Sequence, residues 1–218
     1  MQNSMEFWKF FNEYAAARLR KREKTFRKIF EYLDQIAHPL TIVETGCART
    51  AGNWEGDGQS TVLFDKYISL RDSESILHSV DVNPNAIAEA KKLVSHRVQL
   101  NQDDSVKFLK QLTGELLENG KTIDMLYLDS FDADWVYWYP SAIHHLKELC
   151  AAMRSIRKDT LVAVDDSPLD CLFVPGQDQI HSVEHLAIGG KGRLIAEFAA
   201  SCGAKLEFSE YQAAWTGF

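Results

Sequence analysis

Cysteine is scarce. Cys47, Cys150, Cys171 and Cys202 are the only four in 218 residues. They are widely spaced with no Cys-x-x-Cys pair, which excludes a disulfide framework and points to a reducing compartment. Long apolar runs are missing too: nothing approaches the roughly eighteen uncharged apolar residues of a membrane-spanning helix. The opening MQNSMEFWKFFNEY has no basic region, and it carries Glu6, Lys9 and Glu13 through its apolar residues. It does not read as a secretory leader. Positive charge is in the minority, with 24 Lys and Arg against 31 Asp and Glu, a formal net charge of −7. Such a chain has no general field for nucleic acid or anionic lipid, so the expectation is a cytoplasmic protein with neither as partner. With no internal repeat, low-complexity tract or linker, and 45% hydrophobic residues, residues 1–218 read as one domain with a well-filled core.

What is present begins with helices. Over residues 6–37, Phe7, Phe10, Phe11 and Tyr14 share one face, and Phe26, Ile29, Phe30 and Leu33 recur at helical spacing before His38-Pro39 stops the pattern. This N-terminal helical extension, residues 1–38, precedes a core at 39–218. Its basic run of Arg18, Arg20, Lys21, Arg22, Lys24, Arg27 and Lys28, interleaved with Glu23 and Glu31, reads as a solvated face. The N-terminal helices are expected either to cover the ligand or to make a homodimer contact through Phe7, Trp8, Phe10 and Phe11.

After Pro39 the rhythm changes. Short apolar runs at 40–44, 76–81, 97–101, 123–129 and 160–165 alternate with helical stretches at 60–70, 85–95, 105–118 and 140–156. That alternation predicts an α/β domain built on a doubly wound, mostly parallel sheet. A further helix at 194–202 and an alternating stretch at 205–215 complete it as an antiparallel edge. Residues 170–191 show little periodicity, with Pro175-Gly176 and Gly189-Gly190 near their ends, and are expected to form a lid over the ligand.

In open α/β sheets the ligand lies beyond the carboxyl ends of the strands. The first strand ends in Glu44-Thr45-Gly46-Cys47. After an insertion containing Trp54, its loop closes as Gly58-Gln59-Ser60-Thr61, small residues and a helix start suited to an anionic group. The G-x-G-x-x-G dinucleotide fingerprint is absent. Asp81 ends the second strand, where a carboxylate accepts from ribose hydroxyls or simply forms a turn. Asp104 and Ser105 follow the third, at an adenine amino group or as a helix N-cap. Asp129 ends the fourth, and Asp165-Asp166 the fifth. Were these strands neighbours, three carboxylates would share a small volume, which calls for a protonated member or a hard divalent cation, Mg²⁺ before Ca²⁺. His181 and His185, four apart, suggest zinc on spacing alone; with no third nearby ligand a solvated helix or lid is the expectation.

The succession VETG, SVD, QDDS, LYLD and VAVDD resembles class I S-adenosylmethionine-dependent methyltransferases over roughly residues 40 to 215. Among these it resembles the metal-dependent O-methyltransferases, of the catechol and macrocin (antibiotic-sugar) types. The resemblance implies a Rossmann-like fold with S-adenosylmethionine as cofactor. Glu44, Gly46, Cys47 and Gly58 to Thr61 would lie around the methionine part, Asp81 at the ribose, and Asp104 and Ser105 at the adenine. Asp129 would face both cofactor and metal, and Asp129, Asp165 and Asp166 match the positions that hold Mg²⁺. Two departures stand out. Asp132 occupies the place of the catechol-type catalytic lysine, and Asp165-Asp166 replaces Asp-Asn, closer to the sugar-modifying branch. The implied reaction is Mg²⁺-assisted methyl transfer to a hydroxyl of a small molecule, a sugar, polyol or catechol-like compound. Asp132, His144 and His145 are the candidates for the base. Trp135, Tyr137, Trp138 and Tyr139 would line the acceptor site or pack under their loop. The alternatives are a metal-independent methyltransferase of another acceptor and a non-catalytic nucleotide-binding partner domain.

Overall fold

Side chains that alternate along β4 (Ile123–Leu128) divide the core in two. Met125 and Tyr127 join the cluster on one side of the sheet, Leu126 and Leu128 the cluster on the other, as the two-residue repeat of a strand requires. The computed structural model describes residues 2–134, 136–175 and 181–218, with the backbone alone over 2–4, 170–175 and 181–186. Trp135 and residues 176–180 lie outside the described residues.

The remaining strands are β1 (Thr41–Thr45), β2 (Ile76–Asp81), β3 (Val98–Gln102), β5 (Ile156–Val164), β6 (Leu169–Pro175), β7 (His181–Ile188), β8 (Lys205–Ser209) and β9 (Ala213–Thr216). Seven form one sheet in the order β3-β2-β1-β4-β5-β9-β8. The first five are parallel, whereas β9 runs antiparallel to both β5 and β8. This is the Rossmann-like, doubly wound sheet with an antiparallel edge that the sequence predicts.

On one face lie α1 (Gln2–Phe10), α3 (Glu23–Leu33) and α5 (Ser60–Arg71). Between the first two, a π-helical turn, a short α2 (Ala16–Leu19) and a 3-10 turn (Arg20–Arg22) interrupt the continuous helix expected there. The break falls at Arg20, whose φ of 52° is left-handed. A short α4 (Trp54–Asp57) follows β1, and α6 (Pro84–Leu93) follows β2. The opposite face is covered by α7 (Ser105–Glu118), α8 (Tyr139–Ala152) and α9 (Arg193–Cys202).

Two expectations change here. Phe7 and Phe11 are buried in the chain's own core, Phe7 stacking edge-on against Phe30 and Tyr67 at centroid distances of 4.5 and 4.8 Å. They are therefore unavailable as the expected dimer contact. The 170–191 segment is not irregular: β6 and β7 form an antiparallel pair, and His181 and His185 lie on a strand rather than a helix. The connection at 176–180 and the histidine side chains lie outside the described residues. Among the described residues, no helix is long and apolar enough to cross a membrane.

Candidate active site at the strand ends

Strand order reverses between β1 and β4, which opens a crevice at their carboxyl ends. Gly46 closes the floor of it with φ of 79°. Its N–H donates to Val80 O at 2.8 Å while Asp129 N donates to Thr45 O at 2.9 Å. A Cβ at position 46 would stand 2.5 Å from the Asp129 carbonyl oxygen, so only glycine lets the two strand ends approach this closely.

Around that floor the structure gathers the residues singled out from sequence. Glu44 is fully buried: Ser79 Oγ donates to its Oε2 at 2.6 Å, while Oε1 has no partner among the described residues. Burial pushes its carboxyl up to about 7, while the neighbouring hydroxyls of Ser60, Ser79 and Thr61 pull the other way. Asp81 accepts from Cys47 N at 3.3 Å and Asn83 N at 2.8 Å. Ala48 N donates to Thr61 Oγ1 at 2.9 Å, tying the β1 loop to the start of α5. Gly58, at φ of 68°, lies over the Arg22 side chain. Asp104 caps α7, its carboxylate accepting from Lys107 N at 2.9 Å, so the capping alternative describes its side chain. Ser105, beside it, is buried. The crevice is floored by glycine and carries carboxylates at the ends of β1 and β2, one of them with an orphaned oxygen.

Strands β4 and β5 are neighbours, and Asp129, Asp165 and Asp166 do converge: one oxygen from each lies within 4.8 Å of the others. The cluster also contains two cations that sequence reading missed. Arg22 reaches in from the 3-10 turn, its Nε donating to both Asp165 oxygens at 3.0 Å, its Nη2 standing 3.2 Å from Asp166, and its Nη1 donating to Glu55 O at 2.8 Å. Lys191 donates from the opposite side to Asp129, and its Nζ lies 3.1 Å from Asp166 Oδ2. Arg22 is 3%, Asp165 1% and Lys191 1% exposed. The solvated face expected for the basic run holds for Arg18, Arg20, Lys21, Lys24 and Lys28, which are exposed, and fails for Arg22. Its position, four before Phe26 and seven before Ile29, was in phase with the apolar face and was the available signal. Lys191 had no comparable signal. The glycines flanking it make its place: Gly190 adopts φ of 53°, and a Cβ on Gly192 would stand 2.5 Å from Ser167 Oγ.

The electrostatics follow from this packing. Burial alone would lower Lys191; Asp129, Asp166 and Asp165 outweigh it and hold the ammonium above its ordinary range. Burial raises Asp129 well above the usual carboxylate range, an effect that Lys191 offsets and the like charges of Asp165 and Asp166 reinforce. Burial also acts to raise Asp166, but Lys191, the Tyr211 hydroxyl and Arg22 overcome it and hold this carboxyl low. The φ of 44° at Asp166 is a left-handed position that aspartate tolerates better than most residues.

These residues do not fit the Mg²⁺ expected from sequence. Three carboxylates and two cations leave a formal charge of −1 in a cluster where Asp165 is buried and Asp129 and Asp166 are 19% and 17% exposed, and the trio's inner oxygens already hold N–H donors. A divalent ion bound to Asp129 and Asp166 would compete with the Lys191 ammonium for the same oxygens and be repelled by it. The trio could take it only if Lys191 left.

The three candidate bases separate sharply. Asp132 is 77% exposed and paired with Arg49 at 2.9 Å. His145 is fully buried, its Nδ1 2.7 Å from Ser141 O and its Nε2 without a partner among the described residues, and burial lowers it to about 4. His144 Nε2 lies 3.0 Å from Ser105 Oγ and 3.3 Å from Glu148 Oε1. The hydrogen bond to Glu148 raises His144 above its ordinary value, against the opposing effect of burial. Glu148, unnoticed in the sequence, also accepts from Ser130 Oγ at 2.5 Å and Thr45 Oγ1 at 3.1 Å. Tyr137 and Tyr139 are exposed, and the Arg193 guanidinium lies 4.5 Å from the Trp138 ring.

No family model matches the sequence, and no curated protein matches it. Solved structures do. A protein from Klebsiella pneumoniae assigned to the O-methyltransferases shares 16% identity over 88% of this chain and 79% of its own, with a TM-score of 0.50. The N-methyltransferase NodS from Bradyrhizobium japonicum shares 11% over 90% of this chain and 95% of its own, also at 0.50. The likeness is one of fold: the chain has the Rossmann-like architecture found in methyltransferases.

Proposed function

We propose that this protein is an S-adenosylmethionine-dependent methyltransferase that acts on a hydroxyl of a small molecule. One observation carries the reading: Glu44, Gly46 and Asp81 stand at the carboxyl ends of β1 and β2, beside the reversal of strand order, on a fold shared with methyltransferases. In this reading Gly46 and Glu44 hold the methionine part of the cofactor, with Cys47, Gly58, Ser60 and Thr61 shaping its loop. Asp81 binds the ribose, and the start of α7 at Asp104 and Ser105 flanks the base. The cofactor, when bound, supplies the electrophilic methyl group.

The metal-independent form of the reaction is favoured by the ion pairs of Arg22 and Lys191 with the carboxylate trio. Asp129, whose backbone closes the crevice floor against Gly46, is the candidate to accept the proton that a hydroxyl releases, with Lys191 beside it to balance the charge. In this reading the exposed rings of Tyr137 and Tyr139 would meet a ring or sugar face of the acceptor.

Calorimetric titration with S-adenosylhomocysteine tests the reading. Saturable binding that weakens at least about tenfold in Asp81→Ala is expected, as loss of one charge-assisted ribose contact implies. Methyl transfer to a panel of sugars, polyols and catechols should survive EDTA. Binding of NAD with none of S-adenosylhomocysteine overturns the assignment, and activity lost to EDTA and restored by Mg²⁺ overturns its metal-independent form.

A further inference from the structure

The carboxylate trio is arranged as a cation site, and a side chain of the chain itself lies in it. We propose that Lys191 is a built-in counter-ion holding the cation position of Asp129, Asp165 and Asp166, so that the protein takes no divalent metal there, and that removing its ammonium alone turns the trio into a metal site. The inference rests on the geometry and does not require methyl transfer.

Three observations support it. The trio's oxygens lie within 4.8 Å of one another, a spread that a single cation can bridge. Lys191 Nζ meets Asp129 and Asp166 together, and its side chain is sealed from solvent. Finally, the backbone around it is built for that placement. Lys191 N donates to Asp166 O at 3.1 Å and Gly189 N to Pro168 O at 2.8 Å, while Gly192 sits where a side chain would strike Ser167. Arg22 takes a different place, joining Asp165 to the Glu55 carbonyl of α4 and meeting Asp166 at its other oxygen. Removing Lys191 therefore leaves Asp129 and one side of Asp166 without a cation while Asp165 keeps its own. What remains is a partly neutralised, oxygen-lined gap of the kind that Mn²⁺ and Mg²⁺ accept.

The test is a Mn²⁺ titration of the full chain, reading the free-ion signal by electron paramagnetic resonance and the melting temperature in parallel. Wild type is expected to show no saturable site below about 1 mM and no thermal shift. Lys191→Ala is expected to bind one ion at least about tenfold more tightly, to melt higher when Mn²⁺ is added, and to lose both effects when Asp129→Asn is added. Lys191→Gln, which keeps the length and loses the charge, repeats the measurement in a milder background. Saturable micromolar binding by wild type that disappears in Asp129→Asn overturns the proposal, and this arm decides even where a lysine variant does not fold. A folded Lys191→Ala or Lys191→Gln with no gain in Mn²⁺ affinity overturns it as well. S-adenosylhomocysteine titration of the same samples reads the proposed function separately.

Discussion

Replacing Arg22 by methionine tests how the N-terminal helices are joined to the site. The guanidinium makes three kinds of contact: two bonds at 3.0 Å to Asp165, an ion pair at 3.2 Å with Asp166 and a bond at 2.8 Å to the Glu55 carbonyl. Methionine keeps the apolar stem and removes every donor. Asp165, 1% exposed, then loses its only bidentate partner among the described residues. Breaking a buried pair by deleting one member costs about 3–5 kcal/mol, because the surviving charge is left uncompensated. For a chain of this length that corresponds to a fall in melting temperature of ~6–20 °C. Urea unfolding at pH 7 would measure it, with Asp165→Asn and the double variant completing a cycle. The double variant should be more stable than the sum of the single losses predicts, with a coupling of about 2 kcal/mol or more. A loss under about 1 kcal/mol for Arg22→Met, the size of a surface ion pair, or strict additivity, would refute the buried-cluster account.

Two further outcomes can be measured. Gly46→Ala forces a Cβ to 2.5 Å from the Asp129 carbonyl at a φ of 79°, so β1 and β4 must part at the crevice; a loss of about 2–4 kcal/mol in urea and a larger proportional loss of S-adenosylhomocysteine affinity are expected, and wild-type values for both would contradict the floor assigned to Gly46. Glu44 is raised from an ordinary 4.5 to about 7, so the fold favours its protonated form; the stability this gives is complete below about pH 4.5 and is lost as pH rises through 7. Glu44→Gln should therefore gain up to about 3 kcal/mol relative to wild type between pH 5 and pH 8. A pH-independent difference in melting temperature would show that Glu44 is not held in that state.

Much of this architecture was legible along the chain. Apolar runs that alternate with helical stretches place β1 to β5 within a few residues, because each element announces its own period, two for a strand and 3.6 for a helix. The acidic residues at strand ends were legible for the same reason: Asp81 closes β2, and Asp129 and Asp165 directly follow β4 and β5. The β6–β7 pair was missed because its residues follow neither period cleanly, and the break at Arg20 because basic residues are good helix formers.

The sequence by itself determined the order of the elements, the two apolar faces of the sheet and the set of carboxylates at its carboxyl edge. Tertiary structure decided what those carboxylates are bound to. Arg22 lies 143 positions from Asp165, and Lys191 lies 62 from Asp129. Local periodicity says which way a side chain points, but the charge state of a buried carboxylate is set by whichever cation the fold brings within about 3 Å. Packing placed an arginine and a lysine where the sequence had suggested a metal.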